Sequence, residues 1–290
     1  MLSSEAIIIP APDYRTYFAM IKSVSKYAII SVSFTYDRLE SANIISRIKN
    51  IIKGKIAENL FYHFCQSKEL SINTEECVTP FWMADHRDFL WLGGEWDIKN
   101  NFIYCSDSEF RSIDISHFPA LVPNKNTYDQ WAKKNTLYFS TSKYTAYLFS
   151  FMRLNPTSSD FFKLSINEAQ LNYISEFSKK IRYQPTTQLY QAEKDFFNTI
   201  YSLNPNPMIE VIYQPDLIIT GCANPRYWAF FQNTSVIFNN TSFDVPSLQD
   251  PWYVVKNEKL SFLGGKLTTK IQNMTCSLSL LPSFKQVAKL

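Results

Sequence analysis

The sequence predicts a mixed α/β domain, and three observations carry that prediction. Apolar residues recur at helical spacing over 44–64: Ile44, Ile48, Ile51, Ile52, Ile56, Leu60 and Phe64. Residues 88–99 read as a β-hairpin, with an apolar run at 89–92, a Gly93-Gly94 turn and a second strand from Glu95. Two clear helices, 166–183 and 186–203, end in Asn-Pro-Asn-Pro at 204–207 and give way to strand-like segments. The order helix, strands, helices, strands suits a mixed sheet flanked by helices, with a helical insertion.

Before the long helix, 14–24 suits a short helix and 27–34 a strand or buried segment, with Asp37 or Ser41 as the next helix cap. Gly54 interrupts the long helix at a cost of about 1 kcal/mol relative to Ala and marks a close approach of another backbone or a ligand. Arg47, Lys49, Lys53 and Lys55 make up its basic face. After the hairpin, 101–105 extends the second strand, 107–123 looks irregular, 128–134 suits a short helix, and 136–153 reads as one or two strands. Residues 209–220 are strand-like, although Pro215 limits pairing. Further short strands are expected at 236–238, 252–255 and 267–271, ahead of a basic, plain tail. All 290 residues form a single domain, its core at about 37–154 and 209–271 and its helical insertion at about 155–208.

Composition narrows the function classes. Hydrophobic residues make up 46% and charged residues 19%, which is globular rather than disordered. With 6 glycines, a Gly-rich phosphate loop is not expected, and neither a Walker nor a dinucleotide fingerprint occurs. The net charge of +3 permits nucleic-acid binding without arguing for it. The five cysteines form no Cys-x-x-Cys pair, and no export signal or membrane-length apolar run is visible, so a cytoplasmic protein with free thiols and no membrane association is expected.

The hairpin carries the chemistry. Asp97 and Lys99 share one face of a strand while Trp96 and Ile98 take the other, and Asp88 opens the partner strand. Carboxylates at Asp88 and Asp97, with the Ile98 carbonyl, suit a hard divalent cation, and Lys99 is placed to offset charge on an attacked phosphate. Glu58, one helical turn after Gly54, completes the carboxylate set. The duller reading is an exposed cross-strand pair, Asp88 with Lys99, contributing about 0.2–1 kcal/mol.

Lys53-Gly54-Lys55-Ile56-Ala57-Glu58, followed by Asp88 and by Asp97-Ile98-Lys99, resembles the PD-(D/E)XK nuclease superfamily, in which a Gly-x-x-x-Glu helix precedes an Asp…(Asp/Glu)-x-Lys hairpin. Arg87 stands where the pattern often has Pro, and Asp85 competes with Asp88 for the first acidic position. The resemblance implies a restriction-endonuclease-like fold and Mg²⁺-dependent hydrolysis of DNA, with Mn²⁺ as substitute. It places Asp88 and Asp97 as metal ligands, Lys99 as the catalytic lysine and Glu58 as the helix-borne glutamate. It also implies a role in restriction, phage defence, mobile-element processing or repair, and a homodimer as one form. The alternative is a non-cleaving DNA-binding or assembly protein that retains the fold.

Other clusters were weighed. His63, Cys65, Cys77 and His86 fit no standard zinc spacing. His117 stands without a nucleophile, and Cys222 reads as a buried thiol. Lys53, Lys55 and Arg226 are candidate phosphate contacts; Asn224, Tyr227 and Trp228 accompany Arg226 as a polar and aromatic cluster. Lys179, Lys180 and Arg182 suit a helix C-terminus.

Overall fold

The computed structural model describes residues 1–35, 43–83, 87–124, 131, 145–156, 160–181, 186–233, 260–263, 266–269 and 272–290. Strand β1 (Ile7–Ile9) leads to α1 (Tyr14–Thr35), whose first turn is capped by Asp13, its carboxylate accepting from the backbone N–H groups of Arg15 and Thr16. Residues 27–34 are therefore helix, not strand. Positions 28–33 are all buried, and a short run buried on every side carries no period that separates the two structures. Helix α2 (Ile44–Ser67) is capped by Asn43, which is not among the expected caps; Asp37 and Ser41, which are, lie outside the described residues.

The hairpin forms from β2 (Phe89–Trp91) and β3 (Gly94–Tyr104). Its register pairs Trp91 with Gly94, so the turn is Leu92-Gly93 and not Gly93-Gly94. Residues 107–123 are ordered: Ser106 caps α3 (Asp107–Ser112) through a capping box, and β4 (Pro119–Pro123) follows. Strand β5 (Thr145–Leu154) comes next, then β6 (Phe162–Leu164), α4 (Glu168–Ile181), α5 (Thr186–Leu203) and β7 (Ile209–Val211). The strand-like stretch around Pro215 splits into β7 and β8 (Leu217–Ala223), which join different sheets. The short strands β9 (Gln232–Asn233), β10 (Leu260–Phe262), β11 (Leu267–Thr269) and β12 (Asn273–Ser277) precede α6 (Phe284–Ala288). The expected helix at 128–134 and strands at 236–238 and 252–255 fall outside the described residues, apart from Trp131.

Among the described residues, the main sheet has the order β1-β8-β5-β3-β2, with β3 parallel to β5 and the other pairs antiparallel. It is a mixed sheet flanked by helices. Strand β5 is central and buried along almost its whole length, which accounts for its mostly apolar sequence. One sheet face, with Trp96, Ile98, Ala146, Leu148 and Ile219, packs in a core shared with α1, α2, α4 and α5. The other, with Tyr147, Phe149, Phe151 and Ile218, packs against the sheet β4-β12-β9.

The excursion between β5 and β8 is closed at its base by β6 pairing with β7. Its buried residues Ile174, Phe177, Phe196 and Ile200 join the same core as α1 and α2. Residues of α1 and Phe284 of the C-terminal segment are also buried in this core. The tail is not plain: β12 is the middle strand of its sheet, and Phe284 of α6 is buried against Phe61 and Trp91. No helix among the described residues is long and apolar enough to cross a membrane.

Candidate active site

Aromatic packing fixes the hairpin on α2. Phe89 and Trp96, opposite each other in the register, stack at 5.7 Å. Phe61 of α2 meets Phe89 at 5.3 Å, and Phe284 closes the cluster against Phe61 at 5.4 Å. Because Trp96 and Ile98 are committed to this core, strand alternation turns Asp97 and Lys99 to the opposite face. Both are buried, at 6% and 8% exposure, and Lys99 Nζ lies 2.7 Å from Asp97 Oδ2. The ammonium also sits 5.6 Å from the ring centroid of Tyr147, the residue beside Asp97 in the parallel β3–β5 register. This buried ion pair replaces the exposed Asp88–Lys99 pair of the duller reading.

Asp88 lies just before β2. Its N–H donates to Trp96 O at 2.9 Å, its Oδ2 accepts from Ile98 N–H at 2.6 Å, and its carbonyl accepts from the Tyr62 hydroxyl at 2.8 Å. On a strand a residue's N–H and C=O project toward the same neighbour, so the Ile98 carbonyl turns to the Asp88 edge. On α2, Lys55 Nζ and Glu58 Oε2 pair at 2.7 Å. Both this pair and Asp97–Lys99 act on the Asp88 carboxyl. Burial pushes it well above the usual carboxylate range, Glu58 and Asp97 push it further, and Lys55 and Lys99 oppose them. Tyr62 is likewise raised, by burial first and then by Glu58 and Asp88.

Glu58, Asp97 and Lys99 are therefore all within electrostatic reach of the Asp88 carboxyl, Glu58 from α2 and the other two from the opposite face of β3. Lys55 joins them; Lys53 does not. Lys53 is buried, pairs with Asp160 beside Lys49, and lies 5.1 Å from the Phe102 ring centroid. The basic residues of α2 thus divide between two faces. Arg226 is exposed in the 3-10 turn Pro225–Phe230, which leaves the sheet just after Ala223. Ala223 pairs with Tyr147, which pairs with Asp97, so Arg226 emerges at the same end of the sheet as the acids. The competitor Asp85 and the zinc candidate His86 lie outside the described residues, as do the side chains of Lys179, Lys180 and Arg182. All five cysteines are free, and burial raises the Cys222 thiol, which removes it as a nucleophile at neutral pH. Tyr62 and Tyr147 escaped sequence reasoning; neither belongs to a motif, and only the fold brings them to the acids.

Among the described residues no three His, Cys, Asp or Glu side chains are gathered as a ready-made metal-ligand group. The donor set itself, carboxylates and a carbonyl, is of the hard-oxygen kind that Mg²⁺ and Mn²⁺ take. Burial first, and then Glu58 and Asp97, favour the protonated Asp88 carboxyl, and a dication bound there would favour the charged form. Comparisons with family models, curated proteins and solved structures find no match for this chain.

Proposed function

We propose that this protein is a Mg²⁺-dependent DNA endonuclease with a restriction-endonuclease-like core. One observation carries the reading: Glu58, Asp97 and Lys99, on two different elements, all act on the buried Asp88 carboxyl. Glu58, Asp88, Asp97 and the Ile98 carbonyl would hold the metal, with Mn²⁺ as substitute. Bound there, the ion supplies a water of lowered pKa and offsets charge on the phosphate. Lys99, anchored by Asp97 and the Tyr147 ring, directs its ammonium at the reacting phosphate and orients the attacking water. Lys55, paired with Glu58, and Arg226, exposed at the same end of the sheet, would meet backbone phosphate. Five free cysteines suit a reducing cytoplasm. Cutting both strands at one locus would use a homodimer, one acid cluster per strand.

The alternative is a DNA-binding or assembly protein that does not cut. It is favoured by the engagement of each acid by an internal cation or amide: Glu58 by Lys55, Asp97 by Lys99, and Asp88 by Ile98 N–H. Supercoiled plasmid incubated with Mg²⁺ separates the two readings. The parent should nick or linearise it, and Asp97→Asn and Lys99→Gln should lower the rate at least 100-fold, on the scale of lost electrostatic stabilisation. Singly truncating a buried ion pair costs about 3–5 kcal/mol, so thermal melts must first show that each variant is folded. Cleavage retained by both folded variants would sink the site. Binding without cleavage under Mg²⁺ or Mn²⁺ selects the alternative.

A further inference from the structure

Arg47 stands in the second turn of α2, on the stripe that continues through Ile51, Gly54, Lys55 and Glu58. At 3.6 residues per turn these five positions fall within roughly 100° of one another. All are partly open to solvent. The other α2 cations are matched: Lys49 and Lys53 by Asp160, and Lys55 by Glu58. Among the described residues no ion pair engages Arg47. Its Nε is buried and makes no hydrogen bond. Burial lowers its pKa, with no carboxylate acting in the other direction. A buried guanidinium N–H without an acceptor is costly, and the cost is recovered when the fork turns to an arriving anion.

We propose that Arg47 is a phosphate-binding subsite on the α2 stripe that carries Glu58, seating the DNA backbone away from the scissile bond. The inference rests on the DNA reading above and names a contact within it. Arg47 and Glu58 are separated by about 16 Å along the helix axis, the rise of about five base pairs along a B-form duplex. The ground between them is open: a Cβ added at Gly54 would meet nothing within 4 Å. A planar fork of donors suits a phosphate diester, which is bound bidentately and without regard to sequence. Arg47 takes no part in the reaction; it sets where along the strand the acids fall.

The test is the salt dependence of binding to a short labelled DNA duplex, with Ca²⁺ in place of Mg²⁺ so that nothing is cut, for the parent, Arg47→Met and Arg47→Lys. Arg47→Met should bind about tenfold more weakly at low salt. Its slope of log K against log salt should be shallower by about 0.9. Without DNA its melting temperature should rise, because a desolvated charge is gone. Arg47→Lys should keep most of the slope. An unchanged slope in Arg47→Met overturns the subsite, and so does a lowered melting temperature with full affinity, which would make Arg47 structural. A parent that binds with this Arg47-dependent slope yet never cuts with Mg²⁺ overturns the nuclease and leaves the subsite standing. A cutting parent whose slope ignores Arg47 does the reverse.

Discussion

A carboxyl buried at the end of β2, with Glu58 and Asp97 beside it, is more stable in the folded chain with its proton than without. For Asp88 the folded pKa stands above the unfolded value, so the native state holds a proton that the unfolded chain has already released. Stability is then highest below the unfolded pKa and falls as pH rises toward the folded one. Asp88→Asn removes the charge and keeps an oxygen to accept from Ile98 N–H. It should raise the melting temperature by a few degrees at neutral pH, and the gain should vanish below about pH 4. Thermal melts across that range check this, and a gain independent of pH would refute it. Mg²⁺ should narrow the difference by stabilising the parent more than the variant. At this scale the motif residues are legible because strand period and helix spacing are local rules. Lys53 and Arg47 are not: both read as generic helix cations, and only the tertiary position of Asp160 shows that it matches Lys53, while among the described residues no ion pair engages Arg47.

The hairpin shows what an element adds. Gly93-Gly94 is the turn signal in the sequence, yet the turn takes Leu92 and Gly93, with φ of 50° and 74°. Positive φ at both central residues is the type I′ pattern that matches strand twist. Register decides this, because Phe89 must face Trp96 for the hairpin to bury its aromatics on α2. Leu92 pays for that alignment with a left-handed backbone and an exposed side chain. Leu92→Asn should therefore stabilise the fold by about 1 kcal/mol, read as a shift in denaturant midpoint at constant slope; a loss of stability would mean that the leucine makes a contact worth more than its strain. The long helix teaches the converse. Gly54 marks no close backbone approach, so its absent side chain leaves space rather than making room for the chain itself.

Across the whole molecule, the C-terminal segment is the piece that local reading undervalues most. The 283–290 stretch looks like a basic tail, but Ser283 bridges Gly221 of β8 and Phe284 fills the gap between Phe61 and Trp91. A side chain at Gly221 would come within 3.0 Å of Leu278, which shows how closely the last residues cross the main sheet. Phe284→Ala should cost about 3–5 kcal/mol, and amide exchange in β2 and β3 should speed up more than in β12, since the cavity opens under the hairpin that carries Asp97 and Lys99. Equal loss of protection in both sheets would show instead that Phe284 holds the molecule as a unit. Helical and strand periodicities were enough to place the long helix, the hairpin and the two later helices in order along the chain. They act between neighbours a few residues apart. The parallel β3–β5 pairing, the continuous α1, the burial of the Asp97–Lys99 pair beside Tyr147 and the matching of Lys53 by Asp160 came from contacts between segments remote in sequence. Those contacts depend on which surfaces are buried together, and no short window of residues encodes that.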